Sequence, residues 1–173
     1  ATFVLPAPVR ASYSFTGWTG SNGGTPQKSV SIPKGSTGNK VYSAGWQGEY
    51  AELLRGSSFN AKVKELSCGA GSTVYTEDTA IKGIAIATSA PSGAKTVTVS
   101  STYSPKPVTA YFDKTKGILY LVSTAKEIRL NEDTGEMFRN MKALTDISAL
   151  SKLNITTMRK AHFMFCGTGL KSL

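Results

Sequence analysis

A single histidine, His162, and two cysteines, Cys68 and Cys166, are spread over 173 residues. That scarcity excludes the commoner catalytic and metal-binding designs. A serine or cysteine nucleophile needs a base beside it, and a structural zinc site needs Cys or His ligands at short spacings. Neither cysteine has a CxxC partner, and no Gly-x-Ser-x-Gly elbow occurs. Long apolar runs are missing as well, so nothing reaches the roughly 18 residues that a membrane-crossing helix requires. Charged residues make up only 18% of the chain, and no basic block exceeds the pair Arg159–Lys160.

The net charge is nevertheless +9, a balance that raises the question of nucleic acid. Its distribution answers against it. Residues 1–50 carry four basic and one acidic side chain, residues 51–130 ten and six, and residues 131–173 six and four. Phosphate binding concentrates basic groups so that several charges are neutralised together. Here the excess is spread along the chain, so no specific nucleic-acid partner is expected and the charge serves solubility.

Other candidate sites read as structural. His162, in "MRKAHFMF", sits among apolar neighbours and reads as a packing or helix-surface residue. Glu132, Asp133 and Glu136 read as charge at a helix N-terminus in preference to a calcium site. "GSTGNK", residues 35–40, lacks the full phosphate-loop spacing and reads as a β-turn. "NIT" at 154–156 is a formal glycosylation sequon, meaningless if the source is bacterial. Cys68 and Cys166 read either as a disulfide or, as small core residues, as buried free thiols. No catalytic residue, cofactor or metal ligand is expected.

Seventeen glycines and seven prolines, with many Ser and Thr, favour short strands joined by turns. Three parts follow. Residues 1–48 alternate apolar and polar positions around "SYSFTGW", "SVSIP" and "KVYSAGW". They predict a small sheet with Phe15, Trp18, Val30, Ile32, Tyr42 and Trp46 as its core and "GSNGG" as a turn. Residues 49–130 predict a short helix from Glu49 to Arg55 and a second from Ser57 or Ser58. The second has a serine N-cap and an apolar face of Phe59, Val63 and Leu66. Strands follow at "IKGIAIA", "KTVTVSST", "VTAYF", "GILYLV" and "KEIRL", with "DKTKG" as a hairpin turn. Residues 131–173 contain a self-match. Met137-Phe138 is answered by Met164-Phe165, 27 positions on, and Leu144 and Ile147 by Leu170 and Leu173 at 26. Met158, Ala161 and Phe165 would share one helix face, Gly167 would cap it, and a Leu-x-x-Leu strand would follow. Helix-plus-strand units at such a period are typical of leucine-rich-repeat solenoids.

Two resemblances rest on these residues. Residues 1–48 resemble the C-terminal part of an InlB B-repeat (Listeria–Bacteroides repeat). The matching positions are Leu5, Pro6, Pro8, Tyr13, Phe15, Gly17, Trp18, Ile32, Pro33, Gly35, Tyr42, Ala44 and Trp46, with Ser12 where Gly is usual. That resemblance implies a β-grasp-like module of extracellular bacterial proteins. Residues 131–173 resemble BspA-like leucine-rich-repeat surface proteins through Met137, Phe138, Leu144, Met158, Met164, Phe165, Cys166 and Leu170. This second resemblance implies a secreted or wall-attached protein with adhesive roles and nothing catalytic to carry over.

Taken together, the chain is expected to be α+β and β-rich: a partial B-repeat module (1–48), a helix plus strand-rich lead-in (49–130) and the first leucine-rich repeats (131–173). It reads as an excerpt of a longer protein. The expected function is non-enzymatic binding or adhesion to a protein or host-surface ligand at the bacterial cell surface, without membrane insertion in this segment. The alternative is an accessory or spacer region of a secreted multidomain enzyme.

Overall fold

The computed structural model describes residues 1–172. The chain is β-rich, with several small sheets and neither a barrel nor a solenoid among the described residues. It divides into two compact units, Ala1–Glu49 and Tyr50–Leu173.

In the first unit, β2 (Tyr13–Gly20) lies between β3 (Gly23–Gln27) and β5 (Tyr42–Gly48) in an antiparallel sheet, and β1 (Phe3–Val4) pairs with β4 (Ser31–Ile32). The "GSNGG" glycines make the β2–β3 hairpin. A bulge between Phe15 and Gly17 re-aims β2, and Gly17 takes φ +143° there. A Cβ on Gly17 would fall 2.7 Å from the backbone nitrogen of Gln27 and 2.8 Å from the carbonyl carbon of Pro26. We therefore expect Gly17→Ala to destabilise this unit by about 2 kcal/mol or more, since rigid backbone must give way. Both tryptophans of the chain lie in this unit, so intrinsic tryptophan fluorescence during denaturant unfolding reads the effect. The expected core is thinner than the pattern suggested. Val30 is buried, whereas Phe15, Trp18, Ile32, Tyr42 and Trp46 are half-buried, because one small sheet covers only one side of its aromatics.

The second unit gathers residues from Ala51 to Met164 into one hydrophobic core. The expected helix from Glu49 to Arg55 is instead β6 (Tyr50–Glu52), a strand that pairs in parallel with β11 (Glu127–Arg129). Its alternation decides the matter: Ala51 and Leu53 are buried while Tyr50 and Glu52 are half-buried, a period of two. Helix α1 spans Gly56–Ser67, and Phe59, Val63 and Leu66 are buried as the spacing predicts. No serine caps it. Arg55 occupies the N-cap position, and the Gly56 N–H donates to Asp133 O at 2.8 Å, so the orphan donor is satisfied across the fold.

β7 (Gly83–Ala87), β8 (Thr96–Thr98), β9 (Thr109–Asp113) and β10 (Ile118–Val122) form a sheet in the order β7-β10-β9-β8. β9 and β10 are the expected hairpin. Its turn is closed by Asp113, which accepts from the N–H groups of Thr115 and Lys116 and, through its carbonyl, from Gly117. β7 joins β10 in parallel.

Residues 131–172 depart from expectation. Apart from a short 3₁₀ helix at Ser148–Lys152, they are turns and isolated bridges, and no helix holds Met158, Ala161 and Phe165. The reason is visible in the hydrogen bonds. Thr134, Glu136, Phe138 and Asn140 donate their N–H groups to the carbonyls of Lys160, His162, Met164 and Cys166 at 2.8–2.9 Å. Those carbonyls are therefore spent sideways on a neighbouring segment and cannot serve an i→i−4 ladder. Asp133 bridges Lys160 in parallel, a register of 27. Backbone conformation repeats with it: Glu136 (φ 62°) answers Phe163 (φ 52°), and Asn140 (φ 58°) answers Gly167 (φ 72°). Leu170 is half-buried in irregular backbone between bends at Gly169 and Lys171, not in a strand, and Leu173 lies outside the described residues.

Candidate binding surface

The residues that the sequence singled out prove to be packing residues. Met137, Phe138 and Leu144 are fully buried and Met164 nearly so, with Phe165 and Leu170 half-buried. The Phe138 ring lies edge-on to Phe59 at 6.0 Å and stacks on Phe165 at 5.5 Å. In the first unit, Phe15 packs edge-on against Trp18 and Trp46 at 5.4 and 5.8 Å, with the Lys28 ammonium 5.4 Å from the Phe15 ring.

Polar side chains of α1 brace the 136–139 turn from inside, and the sequence pattern passed over them. Asn60, fully buried, donates to the carbonyls of Glu136, Met137 and Arg139 at 3.0–3.3 Å. Lys64, equally buried, donates to Thr76 O at 2.6 Å, Arg139 O at 2.8 Å, and the carbonyls of Val74 and Thr73 at 3.3 and 3.4 Å. Burial pushes the Lys64 ammonium down from its ordinary 10.5 to about 8, against the attraction of Asp78. At that value the ammonium remains mostly charged at neutral pH, with the four carbonyls as its hydrogen-bond acceptors.

Above that braced turn, the outer face carries three stacked groups. The Arg139 guanidinium lies 4.9 Å from the Tyr75 ring centroid and 5.3 Å from that of Phe163. Arg139 Nη1 also donates to Glu136 Oε1 at 2.5 Å, while its Nε–H is buried without an acceptor. Tyr75 and Phe163 are 69% and 61% exposed, unusual for large rings and enough to leave both available to a partner. Phe163 holds φ +52°, a left-handed conformation that is an outlier for a bulky residue. The strain is imposed by the 27-residue register and presents the ring outward. No sequence signal marks this column, because its members come from three segments that only the tertiary fold brings together.

Other expected groups are accounted for. His162 is exposed and its ring covers Gly135, where a Cβ would fall 2.2 Å away. The acidic group does not start a helix: Asp133 pairs with Arg55 at 3.2 Å and Glu136 with Arg139. Asn154 is engaged by its own neighbours, donating to Glu127 and accepting from the Thr156 N–H at 2.8 Å. "GSTGNK" begins in a turn in which Ser36 N–H donates to Pro33 O. Both cysteines are free and exposed, contrary to the expectation of core thiols, because Cys68 ends α1 and Cys166 lies in an outer turn. Partial desolvation and the nearby Asp78 carboxylate push the Cys68 thiol up, which makes it a poor nucleophile. No group of three or more potential metal ligands occurs among the described residues, and no helix is long and apolar enough to cross a membrane.

Compared with family models, with curated proteins and with solved structures, the chain matches none.

Proposed function

We propose that this chain is a non-enzymatic binding module of a bacterial cell-surface protein, engaging a protein ligand of the host or its matrix. On this reading residues 1–48 are a partial B-repeat, and residues 131–173 begin a BspA-like leucine-rich array. The observation that supports it best is the 27-residue register, in which hydrogen bonds, bridges and left-handed positions recur together. The Tyr75–Arg139–Phe163 column is its contact surface. Exposed aromatics with an arginine between them are the residue types enriched at protein interfaces.

The test is binding of the purified chain to immobilised extracellular-matrix proteins and to epithelial cell monolayers. Saturable binding that persists at high salt is expected from the wild type, and Phe163→Gly should reduce it about tenfold or more. The same change frees the backbone from a left-handed phenylalanine. Unfolding free energy should therefore stay level or rise by about 1 kcal/mol. A binding loss with stability retained supports an aromatic held under strain for contact. Absence of saturable binding would favour a spacer, and binding that salt abolishes on every anionic surface would reduce the interaction to net charge.

A further inference from the structure

We propose that the four-stranded sheet carries a sugar-binding slot beside Tyr120, which takes one neutral pyranose ring of a glycan. The slot follows from the sheet register. Tyr111 and Tyr120 pair across β9 and β10, and their rings stack at 4.7 Å with 4° between the planes. That spacing matches the roughly 4.8 Å between neighbouring strands, so the two rings stand upright, side by side. On the other side of Tyr120, the register with β7 places Ala85. A methyl group is too short to continue the column, and the third place in the stack is open. One register step along, the comparable space over Gly83 is filled: a Cβ there would fall 2.9 Å from Ile118 Cδ1. Ile118 therefore closes one end of the slot.

A cavity of about 480 Å³ occupies this place, bounded by Tyr120 and Ala85 on the sheet and by Asp146, Ser148, Ser151 and Lys152 beyond β7. Its two walls are chemically unlike, and together they select the occupant. Tyr120 offers a flat, electron-rich ring face that attracts C–H groups. The opposite wall offers donors and acceptors whose charges balance. Hydrogen bonds from the Ser148 N–H, at 2.9 Å, and from its hydroxyl hold the Asp146 carboxyl below its ordinary range, so it is an ionised acceptor. The Ser151 hydroxyl donates to Ser148 O at 2.7 Å and keeps its lone pairs for a ligand. Lys152, which is exposed, supplies the ammonium donor. A pyranose matches both walls: its ring carbons present a C–H face, and its rim of hydroxyls both donates and accepts. A nucleotide would bring phosphate against Asp146, and an apolar aromatic ring would leave the polar wall without partners. None of these residues belongs to the Tyr75–Arg139–Phe163 column, so the slot stands or falls independently of it.

The probe is cellotriose, whose β-linked glucose rings carry equatorial substituents and so expose C–H groups on both faces. Titrated into the full chain and followed by calorimetry and amide chemical shifts, it should bind with a Kd of about 0.1–10 mM, as a small polar ligand in an open site does. The largest shifts are expected at Ala85 and Tyr120. Ala85→Leu places a side chain in the third position of the stack. It should weaken binding about tenfold or more with the melt unchanged, since Ala85 lies beside an open cavity. Tyr120→Phe keeps the stacking face and should retain binding. Sorbitol, which carries similar hydroxyls on an open chain, should not bind. Unchanged affinity in Ala85→Leu would place the sugar elsewhere and overturn the site, as would no binding at about 50 mM cellotriose. Adenosine binding more tightly than cellotriose would overturn the sugar in favour of a planar aromatic ligand. Equal affinity for sorbitol, or loss of binding in Tyr120→Phe, would overturn the stacking contact.

Discussion

Phe138→Ala is expected to destabilise the Tyr50–Leu173 unit by about 3–5 kcal/mol, the range for a buried phenylalanine whose cavity cannot collapse. Collapse is prevented here from both sides. Phe59 sits on α1 at 6.0 Å, and Phe165 belongs to the next segment, held at 27-residue register by backbone bonds to Glu136, Phe138 and Asn140. Deleting the ring removes the shared apolar contact between the helix and both turn segments. In a unit of this size the loss corresponds to a melting point lower by about 10 °C or more. The helix lies in this unit and both tryptophans in the other, so far-ultraviolet circular dichroism should shift while tryptophan fluorescence does not. A drop below about 1 kcal/mol would mean that the 160–166 segment repacks freely and that the register is not rigid.

Lys64→Met carries the second large effect, a loss of about 3 kcal/mol. Methionine fills much of the volume but leaves the carbonyls of Thr73, Val74, Thr76 and Arg139 without the donor they now share. Removing a buried charge also relieves desolvation, and the two effects oppose. The acceptors win, because two of the four bonds are short and charge-assisted and methionine can satisfy none of them. The pH dependence follows with a definite sign. Folded Lys64 releases its proton near pH 8, while the unfolded chain holds it to about 10.5. Between those values the unfolded state binds more protons, so this group makes unfolding free energy rise with pH. Denaturant titrations of wild type and Lys64→Met across pH 7–11 isolate the term, since other lysines and tyrosines cancel in the difference. The mutant's deficit should widen through the window, as the wild type gains and the mutant does not. A deficit that stays constant would place the folded pKa at its ordinary value and the ammonium in contact with water.

Much of this was legible in the chain, for a physical reason that differs by element. The hairpin at "DKTKG" and the strands on either side follow from local rules: an aspartate that accepts its own turn's N–H groups, a glycine at positive φ, and alternating apolar residues. The Phe59/Val63/Leu66 stripe likewise predicted α1 and its buried face. Asn60 and Lys64 were hidden because an i, i+4 polar pair beside an apolar stripe ordinarily marks the solvated flank of a helix. Asn is a poor helix former, and its place in the middle of α1 was the one available hint. The B-repeat and leucine-rich-repeat resemblances pointed to the aromatics and Met-Phe pairs, which proved to be packing residues. The Tyr75–Arg139–Phe163 column lay outside every motif.

Residues 49–55 and 158–166 show where local reading ends. Both carry apolar spacings compatible with a helix, and both became something else through partners far away in sequence. Glu127–Arg129 recruits Tyr50–Glu52 as a parallel strand, and the 134–140 backbone claims the carbonyls of residues 160–166. Side-chain pattern is written into the chain and determines which faces can be buried, which turns can form and which chemistries are excluded. Backbone hydrogen-bond partners across long sequence separations are not written there, since every residue offers the same N–H and C=O. The tertiary structure alone decided which of them pair, and with that the exposed aromatic column and the lysine cage.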